Sequence, residues 1–262
     1  MPTILVTGGT GTLGRPTVAR LHSAGHVVRV LSRKRNPASD STGVPADSAD
    51  GAPGVTWFTG DLTTGEGIAA AVDGADVVVH LATSRGRRDV QQAQNLLLAA
   101  RDAGTAHLVV MSIVGIDEIP LPYYRHKLAI ERLVAESGVP YTIQRATQFH
   151  NLLDEIFSIR LPVLPAPAVT LQPIAVADVA TRLAELVTQP PAQGRARDLG
   201  GPEQRHLPDL ARAWRCARAS RRPVVPLRIP GKAFRAYASG AALVDGPAYG
   251  AITFADYLGG KA

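Results

Sequence analysis

Near its amino end the chain reads Val6-Thr7-Gly8-Gly9-Thr10-Gly11-Thr12-Leu13-Gly14, and this run restricts its fold tightly. Gly8, Gly11 and Gly14 are evenly spaced between an apolar stretch over 3–7 and a helical pattern over 13–24 that stops at Gly25. A strand with no polar face belongs inside a parallel sheet. A glycine-rich turn from such a strand into a helix has a physical use. The missing Cβ lets the chain bend sharply and lets backbone approach a ligand. The helix start then offers unpaired N–H groups and the positive end of its dipole. In this context the spacing predicts a cradle for the diphosphate of a dinucleotide, with Gly8, Thr10, Gly11, Thr12, Leu13 and Gly14 as its contacts.

Apolar runs and helical patterns alternate through the first two thirds of the chain, which predicts a parallel sheet with right-handed crossovers. Strands are expected at 3–7, 26–31, 55–58, 76–81, 108–112 and 141–145, with helices at 13–24, 67–72, 89–103 and 123–137. Residues 36–54, rich in Pro, Gly, Ser and Asp, read as a surface loop. After residue 150 the pattern loosens. Pro162, Pro165, Pro167 and Pro173 exclude one helix over 157–174. A strand is expected at 169–176, helices at 178–189 and 207–219, a strand at 224–229, and short helical pieces beyond. The fold class is therefore α/β, a Rossmann-type doubly wound parallel sheet. It is expected over 1–155, taking in about 169–189, with a small C-terminal substrate-binding lobe from 156–168 and 190–262.

The end of the second strand distinguishes the two nicotinamide dinucleotides. An NAD site has a carboxylate about 20 residues past the loop, to accept from the ribose 2′-hydroxyl. Here that place holds Ser32-Arg33-Lys34. A guanidinium pairs with a 2′-phosphate through two hydrogen bonds, whereas an acid repels it. The expected cofactor is NADP(H) in preference to NAD(H), with Arg33 as the main contact and Lys34 as a second. Asp61, after the third strand, is placed to accept from the adenine amino group, and Leu62 to border the ring. Ala82 and Thr83, after the fourth strand, are small enough for the chain to pass close to the cofactor.

The formal charge of +6 is uneven, with eleven Arg and Lys against three acids between Arg195 and Arg235. Arg212, Arg215, Arg218 and Arg222 fall on one side of a helix, so the segment reads as a solvated face rather than a nucleic-acid surface. No stretch approaches the roughly 20 apolar residues of a membrane span. Met1 to Thr7 lacks the basic start and long apolar run of a signal peptide. The single cysteine, Cys216, fits a reducing compartment. These features suggest a cytoplasmic monomer or homodimer with a small-molecule substrate, no membrane partner and no bound metal.

With the glycine loop, Ser32-Arg33, Gly60-Asp61-Leu62 and His80-Leu81-Ala82 in this order, the chain resembles the atypical short-chain dehydrogenases/reductases of the NmrA-like, NAD(P)H-binding kind. Ser137-Gly138-Val139-Pro140-Tyr141-Thr142-Ile143-Gln144-Arg145 and Pro173-Ile174-Ala175-Val176-Ala177-Asp178-Val179-Ala180 are similar to later motifs of that family, and the likeness covers about 3–190. It implies a Rossmann fold and one bound NAD(P). It does not settle turnover, because such families hold reductases and also redox sensors.

Tyr123 and Lys127 are four apart and share one helix face. A lysine there is suited to bind the nicotinamide ribose and to lower the phenol pKa, so that the tyrosine donates a proton as hydride reaches a carbonyl. Ser112, ending the fifth strand, is placed to polarise that carbonyl. Gln148, Phe149 and His150 follow the sixth strand at the sheet's carboxyl edge, where substrate is expected. The leading expectation is an NADPH-dependent reductase of a small carbonyl, quinone or conjugated acceptor. A regulatory protein that senses NADP(H) without turnover, and an isomerase or epimerase, stay open beside it.

Overall fold

Ile4, Leu5 and Val6 are wholly buried, as a strand covered on both faces requires, and they form the middle of β1 (Thr3–Thr7). The structure is a computed structural model that describes residues 1–33 and 54–260. After β1 come α1 (Gly14–Ser23), β2 (Val27–Ser32), β3 (Val55–Thr59), α2 (Ile68–Val72), β4 (Val77–His80), α3 (Arg88–Asp102) and β5 (His107–Ile113). Then follow α4 (Pro122–Glu136), β6 (Tyr141–Ala146), α5 (His150–Ser158), β7 (Leu164–Pro167), β8 (Thr170–Leu171) and α6 (Val176–Leu186). The chain ends with β9 (Gly194–Arg195), β10 (Arg205–His206), α7 (Leu207–Ala217), β11 (Val224–Leu227), α8 (Lys232–Ala238) and α9 (Phe254–Leu258). The loop expected over 36–54 lies outside the described residues apart from Gly54.

The central sheet has seven strands in the order β3-β2-β1-β4-β5-β6-β9. The parallel, doubly wound sheet expected from the sequence is present. β1 pairs in parallel with β2 on one side and β4 on the other, so the winding reverses at β1. Ligands of such sheets bind outside the carboxyl ends of the strands at that reversal.

The chain divides into two compact units. The first takes Met1–Ser112, His126–Gln144 and Ala180–Ala196. Its core joins Leu5, Val78, Leu108 and Val110 of the sheet to Ile68 and Val72 of α2, Leu96 and Ala100 of α3, and Ile130 and Val134 of α4. The members of each helical pair are four residues apart, which is what places them on one face. Burying each large aliphatic side chain is worth about 1.5–3 kcal/mol.

The second unit takes Ile113–Arg125, Arg145–Val179 and Arg197–Ala262. It holds a parallel pair, β7 with β11, and an antiparallel pair, β8 with β10. The prolines of β7 and β11 fit only because each strand has a single partner and leaves its other edge unladdered. Polar side chains tie the unit together. The Asp154 carboxylate accepts from Trp214 Nε1 at 2.6 Å, Arg218 Nη2 at 2.9 Å and the Tyr257 hydroxyl at 3.1 Å. Burial pushes this acid up, but the three hydrogen bonds and the Arg218 charge outweigh it and hold the pKa below the usual carboxylate range. Buried Arg145 donates to the Asp117 carboxylate through both Nη atoms.

Two sequence expectations change here. The strand over 169–176 shrinks to Thr170–Leu171, because Pro173 has no N–H for a ladder and Val176 already opens α6. The helix α5 was not foreseen. It buries His150, Leu153 and Phe157 at helical spacing, and a histidine in that stripe hides the pattern.

Gln172 is the buried polar centre of the second unit. Its Nε2 donates to Gly201 O at 2.9 Å and its Oε1 accepts from Val244 N at 2.9 Å. Gln172→Leu removes both partners and leaves two buried backbone groups unpaired. The expected cost is about 2–4 kcal/mol, read as a lower denaturant midpoint.

Candidate functional site

The glycine turn follows directly from β1. Gly8 sits at φ +72°, and a Cβ there would lie 2.7 Å from Ala82 N, so the loop and the segment after β4 touch through backbone. Gly11 N donates to Gly8 O at 2.9 Å and closes the turn. Gly14 opens α1, and a Cβ there would lie 2.0 Å from Gly8 O. Thr10, Gly11 and Thr12 are exposed at the rim, whereas Leu13 and Gly14 are buried. The start of α1 has no side-chain cap and no acid in its first turn. The Arg15 N–H already donates to Gly11 O at 3.0 Å and Pro16 has none, so what the helix start offers an anion is chiefly the positive end of its dipole. A cradle that any Cβ would fill, beside an uncapped helix start, fits a diphosphate.

Other expected cofactor residues lie around it. Arg33 is exposed immediately after β2. Lys34 lies outside the described residues. Asp61 uses Oδ1 to accept from Thr63 N at 2.7 Å, which fixes the turn after β3, and Leu62 is packed into the core. Ala82 is half-buried against Gly8. The Thr83 hydroxyl donates to Asp89, whose other oxygen takes the Ser84 N–H and hydroxyl, each at 2.6 Å.

A group of buried charges lies in the same unit. Lys127, on α4, is 7% exposed, and its Nζ donates to Met111 O at 2.6 Å, near the carboxyl end of β5. Burial pushes its pKa down to about 8, while Asp89 and then Glu131 favour the charged form. His80, at the end of β4, shares a 2.8 Å hydrogen bond with the Thr7 hydroxyl. Burial first, and the Lys127 charge second, push its pKa down to about 3 against a smaller pull from Asp89. His80 is therefore neutral at physiological pH. Ser112, next to Met111, is 3% exposed, and its Oγ has no hydrogen-bond partner.

Asp89 and Glu131 escaped the sequence reading. Glu131 was visible as an acid four residues after Lys127, whereas only the fold brings Asp89 near it.

Tyr123 is the second residue of α4, half-buried, one helical turn before Lys127. Its neighbour Tyr124 is buried, and the Tyr124 hydroxyl lies 3.1 Å from that of Tyr237. In the second unit Gln148 is 8% exposed, with both amide atoms lacking a hydrogen-bond partner. Phe149 is the N-cap of α5 and bridges to Ile174. His150 is fully buried, its ring centre 5.5 Å from those of both Phe254 and Tyr257, and its Nε2 lies 3.0 Å from Ile252 O. That places His150 in the packing of its unit rather than on a loop.

Residues 8–190 match a family described as NAD(P)H-binding. The chain is similar to an uncharacterized protein of Mycobacterium tuberculosis, 30% identical over 242 residues, which is 87% of this chain and 24% of that protein. It is also similar to quinone oxidoreductase 2 of Escherichia coli, 26% identical over 142 residues, 54% of this chain and 47% of that protein. The chain thus spans about a quarter of the first relative and about half of the second. Its fold is shared with the NADPH-dependent quinone oxidoreductase of Escherichia coli solved with NADPH, at a TM-score of 0.80 and 19% identity over 98% of this chain and 99% of that one. It is shared as well with a nucleoside-diphosphate-sugar epimerase of Staphylococcus aureus, at 0.72 and 20% over 98% and 99%.

Two outcomes follow from this geometry. Gly14→Ala destabilises the first unit by more than about 3 kcal/mol in thermal unfolding, because backbone meets the new methyl. Gly11→Ala, with its Cβ 3.2 Å from Gly8 O, is far milder. Separately, the unfolded chain protonates His80 below its ordinary value of 6.5 while the folded chain resists protonation down to about 3. Stability is therefore lost as pH falls through that window. His107 and His150, also lowered by burial, add to the loss. A thermal series at decreasing pH reads this dependence, and His80→Gln makes it shallower.

Proposed function

The chain belongs to the NAD(P)H-binding family, and from that premise we propose that it is an NADPH-dependent reductase of the short-chain dehydrogenase/reductase type, acting on a small carbonyl, quinone or conjugated acceptor. The observation that carries this reading is Lys127, a buried ammonium at the carboxyl end of β5, beside Ser112 with its unpartnered hydroxyl. The quinone oxidoreductase 2 of Escherichia coli, similar to this chain both in sequence and in fold, supports the acceptor class.

Bound NADPH supplies the hydride. Gly8, Thr10, Gly11, Thr12, Leu13 and Gly14 would hold its diphosphate, and Arg33 would take the 2′-phosphate. Asp61, Leu62, Ala82 and Thr83 border the rest. Ser112 donates a hydrogen bond to the acceptor oxygen as negative charge develops there. Lys127 binds ribose and keeps a positive charge near the reaction. Tyr123, one helical turn before Lys127 on α4, passes its proton to the reduced acceptor. The unpaired Gln148 amide, one donor and one acceptor, orients the substrate beside Phe149. His150, whose Nε2 is held by the Ile252 carbonyl, contributes packing.

One observation favours a second reading, a cofactor-binding sensor without turnover. Lys127 is 7% exposed and one of its three N–H donors is held by Met111 O, which leaves little of the ammonium open to a ribose.

Loss of NADPH absorbance with a panel of quinones and ketones separates the two. The reductase reading expects turnover with at least one acceptor. Cofactor binding without oxidation by any of them supports the sensor. Lys127→Met lowers kcat about 100-fold, and the wild-type rate falls as pH rises through about 8, where Lys127 gives up its proton. Arg33→Glu lowers the preference for NADPH over NADH by at least about tenfold, and an unchanged ratio overturns the cofactor assignment.

A further inference from the structure

We propose that the carboxyl end of α5, with the turn after it, is a peripheral docking site for an anionic lipid surface. Among the described residues seven large apolar side chains are exposed, and three of them, Ile156, Ile159 and Leu161, fall within six residues. Scattered apolar side chains need no explanation, but a contiguous set does. This set is also held in place. Arg222 donates to Phe157 O and Ile159 O, each at 2.6 Å, and its guanidinium lies 5.1 Å from the Trp214 ring centre. Leu161 N donates to Ile159 O at 2.9 Å, and Pro162 follows. The turn therefore presents its aliphatic groups outward on a fixed base.

Charge selects the occupant. Arg160 stands between Ile159 and Leu161, and Arg221 adjoins the guanidinium that holds the turn; both are exposed. Arg218 binds Asp154 at 2.9 Å, and exposed Arg215 lies on the preceding turn of α7. Against these five arginines stand two carboxylates, Asp154, already engaged, and exposed Glu155. An apolar ridge rimmed by cations matches the interfacial zone of an anionic bilayer, where aliphatic groups enter the acyl boundary and arginines meet phosphates. A second copy of the same patch would bring cation to cation. A nucleic acid would find no exposed aromatic ring among the described residues of this ridge. No described helix is long and apolar enough to cross a membrane, so the contact is peripheral. An apolar acceptor of the class proposed above concentrates in such a surface, but the docking inference stands without it.

The test is flotation of the full chain with vesicles of phosphatidylcholine alone and of equal parts phosphatidylcholine and phosphatidylglycerol. Binding is expected to the mixed vesicles only, and to weaken as salt is raised. Ile159→Ser with Leu161→Ser lowers the partition coefficient at least about tenfold, with the thermal midpoint unchanged because both side chains are already exposed. Arg160→Glu with Arg221→Glu lowers it similarly. No binding to either vesicle, or binding that neither double variant weakens, overturns the proposal. So does sedimentation showing a dimer that the serine variant dissociates, since the ridge is then a self-interface.

Discussion

Gly8 and Gly14 meet where no side-chain atom fits, and the first unit is arranged about that meeting. The carbonyl of Gly8 occupies the space a Gly14 Cβ would need, and Gly8 itself presses on the backbone at Ala82. Three elements, β1, α1 and the exit of β4, are thereby drawn to within backbone contact at the reversal of the sheet. The close approach that packs helix against strand also leaves the helix start uncapped. Packing and anion recognition are thus one requirement on the same residues. A larger residue there damages both together.

The second constraint is electrical. Lys127 and His80 are both buried, and the Lys127 charge disfavours the charged form of His80. Burying a lone ammonium is costly, and the first unit offsets the cost with the Met111 carbonyl and the carboxylates of Asp89 and Glu131. The result is division of labour. His80 stays neutral and holds Thr7, the residue that ends β1, while Lys127 keeps a proton that it can lose near neutrality. Such separation of neighbouring titrations is what proton-handling sites require, and it connects the end of the glycine-loop strand to the end of β5 without any residue of the loop itself being charged.

Much of the first unit was legible before any coordinates. Val77, Val78 and Val79 are buried on both faces of β4, so their sequence is apolar without alternation and reads as an interior strand. Helices such as α3 carry their core residues at regular spacing and end at a glycine. The second unit resists this reading because its elements are short and its order comes from distant polar contacts. β8 and β10 are two residues each and carry no period. β7 contains Pro165 and Pro167, residues that argue against a strand, and it survives only beside β11. In the site, Lys127 is visible through its spacing from Tyr123. The electrostatic role of Asp89 is not visible, because that acid sits on a different helix and first caps Thr83 and Ser84. The buried Gln148 amide likewise has no local signature.

The way Asp154 is satisfied has a consequence for biogenesis. Its three donors, Trp214, Arg218 and Tyr257, lie 60, 64 and 103 residues further along the chain. During synthesis the strands and helices of Met1–Ser112 emerge with most of their partners already made, whereas α5 leaves the ribosome long before anything that covers it. Until α9 arrives, a nascent amphipathic helix with a half-satisfied acid waits in solvent. The second unit therefore completes its polar ties only once α9 has been made, which sets its assembly late in synthesis.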